Sequence, residues 1–123
     1  QQYGLKQLLD LGRWWEEETG HPIPLGGILA KRNLGEERIR QVDQALRCSI
    51  EYAHSHPQQA TSYIREHAQE LDANVIRRHI DLYVNDYSLD LGQEGLAAVS
   101  CLLKKAEQVG VIAKTDLPLT IDG

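Results

Sequence analysis

The sequence predicts an α/β chain that is mostly helical, and two features of the residue pattern lead to this prediction. Between positions 33 and 110, four segments carry apolar residues at every third or fourth position, which is typical of helices with one buried face. Before them, Pro22 and Pro24 disfavour helix and precede the apolar run Ile28–Ala30, which is typical of a strand buried on both faces. The 123 residues are enough for one domain with a core.

The first helix is predicted over Gly12–Thr19. Gly20 follows it and suits the position after a helix, because glycine adopts a positive φ without steric cost. The preceding residues, Leu5–Leu11, are ambiguous. Their leucines fit one face of a helix, whereas the short length and the flanking glycines favour a strand.

The second and third helices are separated by a proline. Asn33 with Glu36 predicts a capping box at the start of the second helix, which is expected to end near Ser55. Pro57 lacks an amide hydrogen and is therefore expected near the start of the third helix. The residues expected on the two buried faces are Ile39, Val42, Leu46, Ile50 and Ala53, then Ala60, Tyr63, Ile64, His67, Ala68 and Leu71.

The fourth and fifth helices are each predicted to begin at an aspartate. Asp72 is expected to cap the fourth helix, and Asp90 with Gln93 is expected to cap the fifth, which ends at Gly110. The residues expected on their buried faces are Ile76, Ile80, Tyr83, Val84 and Tyr87, then Leu96, Val99, Leu103 and Ala106. Residues 115–123 are expected to form a tail that docks on a neighbour or frays.

The composition argues against several classes of partner. A formal charge of −5 provides no basic surface for nucleic acid or for an anionic membrane. No apolar run approaches the roughly 20 residues of a membrane span, and no leader pattern stands at the start, so we expect a cytoplasmic protein. Because methionine is absent even at position 1, we expect a processed chain or a piece of a longer one. Cys48 and Cys101 are expected to be reduced thiols.

The segment from 14 to 18 holds the first candidate functional side chains. Glu16, Glu17 and Glu18 point in different directions on a helix, so at least two of these carboxylates are expected to face water rather than act as acid or base. Trp14 and Trp15 could stack on an aromatic substrate. We expect one of them to pack in the interior instead.

The histidines are the second candidates. His54 and His56, with Glu51 one turn earlier, have the residue types of a zinc site, but positions two apart on a helix do not face each other. We therefore expect polar residues at a helix end and no metal site. His67 and His79 lie on apolar stripes and are expected to be hydrogen-bonded core residues.

Two stretches of sequence carry a family resemblance. They read YGLKQLLDLGRWWEEETGHPIPLGGILAKR and HAQELDANVIRRHIDLYVNDYSLDLG. Both resemble the C-terminal part of the 1,4-dihydroxy-6-naphthoate synthases, enzymes of menaquinone biosynthesis by the futalosine pathway. The resemblance runs from about Tyr3 to about Val109. The family's chain is longer and places its catalytic base upstream of the position of Gln1, so the resemblance implies no catalytic residue in this chain.

The resemblance also implies a fold and a place for the substrate. The family resembles the two-lobed type II periplasmic binding proteins, so residues 1–22 are expected to end the second lobe. Residues 23–123 are expected to form a crossover strand and the helices that return to the first lobe. Leu5–Leu11 then becomes a strand, which gives two short strands and about five helices. The crossover would place Pro24, Leu25 and Gly26 at the cleft floor, as candidate substrate contacts.

The implied reaction converts cyclic dehypoxanthine futalosine to 1,4-dihydroxy-6-naphthoate by carbon–carbon lyase chemistry, with no metal or organic cofactor. The chain alone is expected to be inactive. Its expected partners are the small-molecule substrate of the complete protein and either a second copy or the missing N-terminal half. Three alternatives stay open: a solute-binding protein of the same two-lobed fold, a small helical interaction module, and the related chorismate-dehydratase branch.

Overall fold

The computed structural model describes residues 4–69 and 72–121, and the regular secondary structure in this part of the chain is helical. Its helices are α1 (Leu11–Thr19), α2 (Glu36–Ser55), α3 (Thr61–His67), α4 (Ala73–Tyr83), α5 (Asp86–Leu89) and α6 (Gly92–Gln108), and a 3₁₀ turn over Arg32–Leu34 precedes α2. The described residues form two compact units. Unit 1 comprises those within Gln1–Gly26 and Gly92–Gly123, and unit 2 comprises those within Gly27–Leu91.

The two predicted strands are wrong for the described residues. Positions 5–10 have no regular secondary structure, Leu11 already begins α1, and Ile28–Ala30 is also irregular. A strand persists only where a neighbouring strand takes up its backbone N–H and C=O groups, and no described segment pairs with either stretch. The fold class is therefore mostly helical rather than α/β, and the described residues do not show the two-lobed fold that the resemblance implies.

The first helix of unit 1 has the boundaries that local chemistry predicts. Asp10 is its N-cap, because the side-chain carboxylate accepts a hydrogen bond from the backbone N–H of Arg13 at 3.1 Å. Gly20 follows its last residue with φ 70° and donates its N–H to the carbonyl of Glu16, which confirms the predicted stop. Trp15 is the buried residue of this helix, with 6% of its surface exposed.

The helix α6 supplies the other buried positions of unit 1. Ala98 is 2% exposed and Gly95, three residues earlier, is also buried. Four residues of α6 were predicted on its inner face. Leu96, Val99 and Ala106 are half buried, whereas Leu103 is exposed. The buried centre of the face thus consists of small residues, which let neighbouring chain approach the helix backbone closely.

The end of α6 is fixed by backbone hydrogen bonds. Gly110 has φ 74°, and its N–H donates to the carbonyl of Glu107, while the N–H of Val111 donates to the carbonyl of Ala106. This pair of bonds is a Schellman motif, and it confirms the predicted stop at Gly110. The tail then returns to the helix, because the N–H of Thr115 donates to the Glu107 carboxylate at 3.2 Å.

Unit 2 has no fully buried residue among those described. On α2, Ile39, Leu46 and Ile50 of the predicted stripe are half buried, whereas Val42 and Ala53 are exposed. Within unit 2, the most extensive contacts of α2 are those with α5 and with the 3₁₀ turn. An ion pair adds to this packing, since Arg47 Nη2 lies 4.0 Å from Asp90 Oδ2, just after α5.

The start of α2 differs from the prediction. Asn33 lies within the 3₁₀ turn, and Gly35 takes the N-cap position with φ 82°. The predicted capping box of Asn33 with Glu36 is therefore wrong. The physical reason is Gly35, whose missing Cβ permits a positive φ and so places the change of direction directly before Glu36.

The third helix begins later than its proline suggests. Pro57 lies in a turn, and α3 starts at Thr61, whose hydroxyl donates to the carbonyl of Pro57 at 3.2 Å. On the predicted buried face, Ala60, Ile64 and Ala68 are half buried, whereas Tyr63 and His67 are exposed; Leu71 lies outside the described residues.

The predicted fourth helix divides into α4 and α5. Asp72 is confirmed as the cap of α4, because its Oδ1 accepts from the N–H groups of Asn74 and Val75 at 2.9 and 3.1 Å. The helix ends at Tyr83, and Asn85 starts α5 through a capping box with Ser88. The predicted buried face is confirmed in part. Ile76, Ile80 and Val84 are half buried, whereas Tyr83 and Tyr87 are exposed.

The helix α6 begins at Gly92, two residues after the predicted cap Asp90. None of the helices within residues 4–69 and 72–121 has the length and apolar content needed to cross a lipid bilayer.

Candidate functional site

A depression of about 420 Å³ lies on unit 1, beside the start of α1. Its lining residues are Gln7, Leu8, Leu9, Asp10, Arg13, Trp14 and Glu17. The apolar ones are well exposed, with 95% of Leu8, 60% of Leu9 and 48% of Trp14 open to solvent. The depression is therefore lined by exposed apolar side chains together with charged ones.

The charged groups that line the depression form hydrogen bonds and an ion pair within α1 and its cap. The carboxylate of Asp10 caps the helix through the N–H of Arg13, and the Nε of Arg13 donates to Glu17 at 2.7 Å. Because the Arg13 and Glu17 side chains remain 79% and 63% exposed, this ion pair contributes at most about 1 kcal/mol. The depression is thus better suited to contact an apolar or planar group than to transfer a proton.

The tryptophan pair divides as the sequence predicts. Trp15 packs in the interior of unit 1, while Trp14 faces the depression. The indole N–H of Trp15 is buried and has no hydrogen-bond partner among the described residues. Glu16, Glu17 and Glu18 are all exposed, which confirms that these carboxylates face water.

The chain leaves α1 through a tightly hydrogen-bonded turn. The hydroxyl of Thr19 donates to the carbonyl of Trp15 at 2.8 Å and accepts the N–H of His21 at 3.2 Å. The following residues run back beside the helix, because a Cβ added at Gly12 would lie 3.7 Å from Cγ2 of Ile23. The turn thus fixes the direction in which the chain enters the proline-containing segment.

The predicted substrate contacts follow this turn. Pro24 is half buried, whereas Leu25 is 56% exposed and Gly26 is also exposed. A Cβ added at Gly26 or Gly27 would meet no atom within 4 Å, so neither glycine is required by close packing among the described residues. None of the three predicted contacts lines the depression. Their role as substrate contacts stays a prediction.

The four candidate histidines lie in unit 2. His56 directly follows the last residue of α2 and is half buried. Its Nδ1 lies 3.1 Å from the carbonyl of Tyr52 and its ring stacks on the Tyr52 ring at 4.3 Å, as expected for a polar residue at a helix end. His67 and His79 are exposed and lie against Tyr63 and Tyr83, in exposed pairs four residues apart. The prediction of core histidines is wrong, because the half-buried faces of α3 and α4 run through Ile64 and Ile76 instead.

No group of three His, Cys, Asp or Glu side chains within residues 4–69 and 72–121 is arranged to hold a metal ion. Cys48 and Cys101 are free thiols, as predicted.

The sequence reasoning missed the depression and the cap at Asp10. The cap carried a readable signal, because an aspartate stands directly before the first helical residue. The sequence gives less indication of the depression, since the leucines before α1 fit one face of a strand or of a helix. Their exposure depends on what the rest of the chain covers, which spacing does not specify.

Comparison with known proteins identifies the family. Residues 1–108 match the family described as menaquinone biosynthesis, and the chain therefore belongs to this menaquinone-biosynthesis family. Among its relatives, the 1,4-dihydroxy-6-naphthoate synthase of Thermus thermophilus is 53% identical over 119 residues, which are 97% of this chain and 44% of the relative. The synthase of Streptomyces coelicolor is 45% identical over 112 residues, 91% of this chain and 40% of the relative.

These comparisons confirm the family resemblance that the two quoted stretches carry. They also show that the chain spans less than half the length of either of these curated relatives.

Proposed function

We propose that this chain forms one part of a 1,4-dihydroxy-6-naphthoate synthase, an enzyme of menaquinone biosynthesis. The observation that carries the proposal is the 53% identity to the synthase of Thermus thermophilus over 97% of this chain. Since that match covers 44% of the relative, activity is assigned to a longer protein rather than to these residues alone.

In the proposed reaction, a base removes a proton from cyclic dehypoxanthine futalosine, and elimination expels the sugar portion to leave 1,4-dihydroxy-6-naphthoate. This is carbon–carbon lyase chemistry. The base belongs to the part of the complete protein outside this chain, so the chain alone is inactive. The complete protein works in the cytoplasm on its small-molecule substrate and requires neither nucleic acid nor membrane.

The role proposed for this chain is to contribute substrate contacts to the complete protein. Pro24, Leu25 and Gly26 are its proposed substrate contacts, and the half burial of Pro24 together with the turn at Thr19 supports a fixed position for this segment. The solute-binding and interaction-module alternatives are not favoured, since both relatives named above are synthases.

A chimeric enzyme tests the proposal. In the chimera, this chain replaces the matching 119 residues of the Thermus thermophilus synthase. We expect the purified chimera to convert cyclic dehypoxanthine futalosine to 1,4-dihydroxy-6-naphthoate, measured by liquid chromatography, with the parent synthase as positive control. A folded chimera that binds the substrate without releasing product would instead support a solute-binding protein.

A further inference from the structure

Five large apolar side chains are exposed within ten residues of unit 1. We define them as the leucine surface, which consists of Leu5, Leu8, Leu9, Leu11 and Trp14. Their exposed fractions are 81%, 95%, 60%, 65% and 48% in that order. Leu8, Leu9 and Trp14 of this group line one depression. Isolated exposed leucines are common, whereas clustered exposed apolar side chains mark interaction surfaces.

The chain as a whole also exposes more surface than a compact monomer of its mass. The chain exposes 10705 Å², whereas a folded monomer of 13.9 kDa exposes about 6,700 Å². Two independent units of half that mass would together expose about 8,000 Å², so the excess is present whatever the arrangement of the two units. The remaining difference of about 2,700 Å² belongs to the chain as a whole, and it is larger than the roughly 800 Å² that each partner buries in a standard interface.

The leucine surface has the make-up of an interface. Leu8, Leu9 and Trp14 line the depression together with the charged side chains of Asp10, Arg13 and Glu17. Apolar and aromatic side chains next to charged ones are typical of the regions where two protein surfaces meet. Leu8, at 95% exposure, contributes almost nothing to the interior of unit 1, so its apolar character is unexplained by the described chain alone.

We propose that the leucine surface is the docking surface for the part of the complete protein that lies outside this chain. The relatives are more than twice as long as the stretch that they share with it, so more than half of each relative is available to cover this surface. The proposal rests on the proposed function only in requiring a complete protein longer than this chain. It does not depend on the identity of the reaction.

Cysteine labelling tests the proposal directly. In a Cys48→Ser, Cys101→Ser background, Leu8→Cys is compared between this chain alone and the chimera defined above. Leu117→Cys is the matched control, because Leu117 lies in the same unit, is 66% exposed and does not line the depression. The rate of reaction with a maleimide reports the accessibility of each thiol.

We expect Leu8→Cys to react at least about tenfold more slowly in the chimera, which corresponds to about 1.4 kcal/mol of protection. Leu117→Cys is expected to react at similar rates in both proteins. Equal labelling of Leu8→Cys in this chain and in the folded chimera would overturn the proposal. Protection in this chain alone that rises with protein concentration would identify a second copy as the occupant instead.

The same chimera separates this proposal from the proposed function. Slower labelling of Leu8→Cys in a chimera that forms no product would support the docking surface and contradict the proposed enzyme function. Product formation by a chimera in which Leu8→Cys is labelled as fast as in this chain alone would support the enzyme function and contradict the docking surface.

Discussion

Replacement of Trp15 by alanine is expected to lower the free energy of unfolding by about 3–5 kcal/mol, the range for removing a buried tryptophan side chain. Trp15 is 6% exposed, and it is one of two buried hydrophobic residues in the described part of the chain. With so few buried residues, unit 1 has little other apolar burial to offset the loss. Urea unfolding followed by far-UV circular dichroism measures the effect.

Trp14 provides the matched control for this prediction. It is the adjacent tryptophan on the same helix but is 48% exposed, so Trp14→Ala should cost about 1 kcal/mol or less. Trp15→Phe adds a second comparison, because it keeps an aromatic ring and removes the buried N–H that lacks a partner among the described residues. Its cost should lie well below that of Trp15→Ala. Equal losses at Trp14 and Trp15 would contradict the packing described for unit 1.

Replacement of Ala98 by aspartate is expected to destabilise the chain by about 3–5 kcal/mol at neutral pH, because it places an unpaired charge in the interior. Ala98 is 2% exposed on α6, whereas the neighbouring Ala97 is exposed. Ala97→Asp is therefore the matched control and should cost less than about 1 kcal/mol, mainly through the lower helix propensity of aspartate. The same urea measurement applies.

The pH dependence of the Ala98→Asp effect separates charge burial from simple crowding. Burial raises the pKa of a carboxyl above its unfolded value of about 3.9. Below that value, the carboxyl is protonated in both states and the charge penalty disappears. As the pH rises, the carboxyl ionises first in the unfolded state. The loss of unfolding free energy relative to the parent chain should therefore be larger at pH 7 than at pH 3. A difference that is independent of pH would show that added volume, not charge, causes the loss.

The positions that local chemistry controls were predictable from sequence. Gly20 and Gly110 end helices because only glycine adopts the required positive φ at no cost, and Asp72 caps α4 through its own carboxylate. Each of these effects acts within a few residues. Most of the helix ends were therefore predictable from the sequence. The break between α4 and α5 was not, because Asn85 caps a new helix there instead of extending α4.

The positions that depend on distant partners were not predictable in the same way. Ile28 and Leu29 have the pattern of a buried strand, yet they are 78% and 92% exposed, because no described segment covers them. His67 was assigned to a buried stripe, but the stripe of α3 passes through Ile64 and Ala68. At the candidate site, the burial of one tryptophan of the pair Trp14 and Trp15 was predictable from the sequence. The depression was not, because it depends on how residues 7–17 are arranged in space.

The most direct test of the account is turnover of cyclic dehypoxanthine futalosine by this chain, alone and mixed with the part of the Thermus thermophilus synthase that lies outside the match. The chain belongs to the menaquinone-biosynthesis family but spans less than half of that relative, so we expect 1,4-dihydroxy-6-naphthoate only from the mixture. Size-exclusion chromatography shows whether the two parts associate. Product from this chain alone, or no product from an associated mixture, would contradict the account.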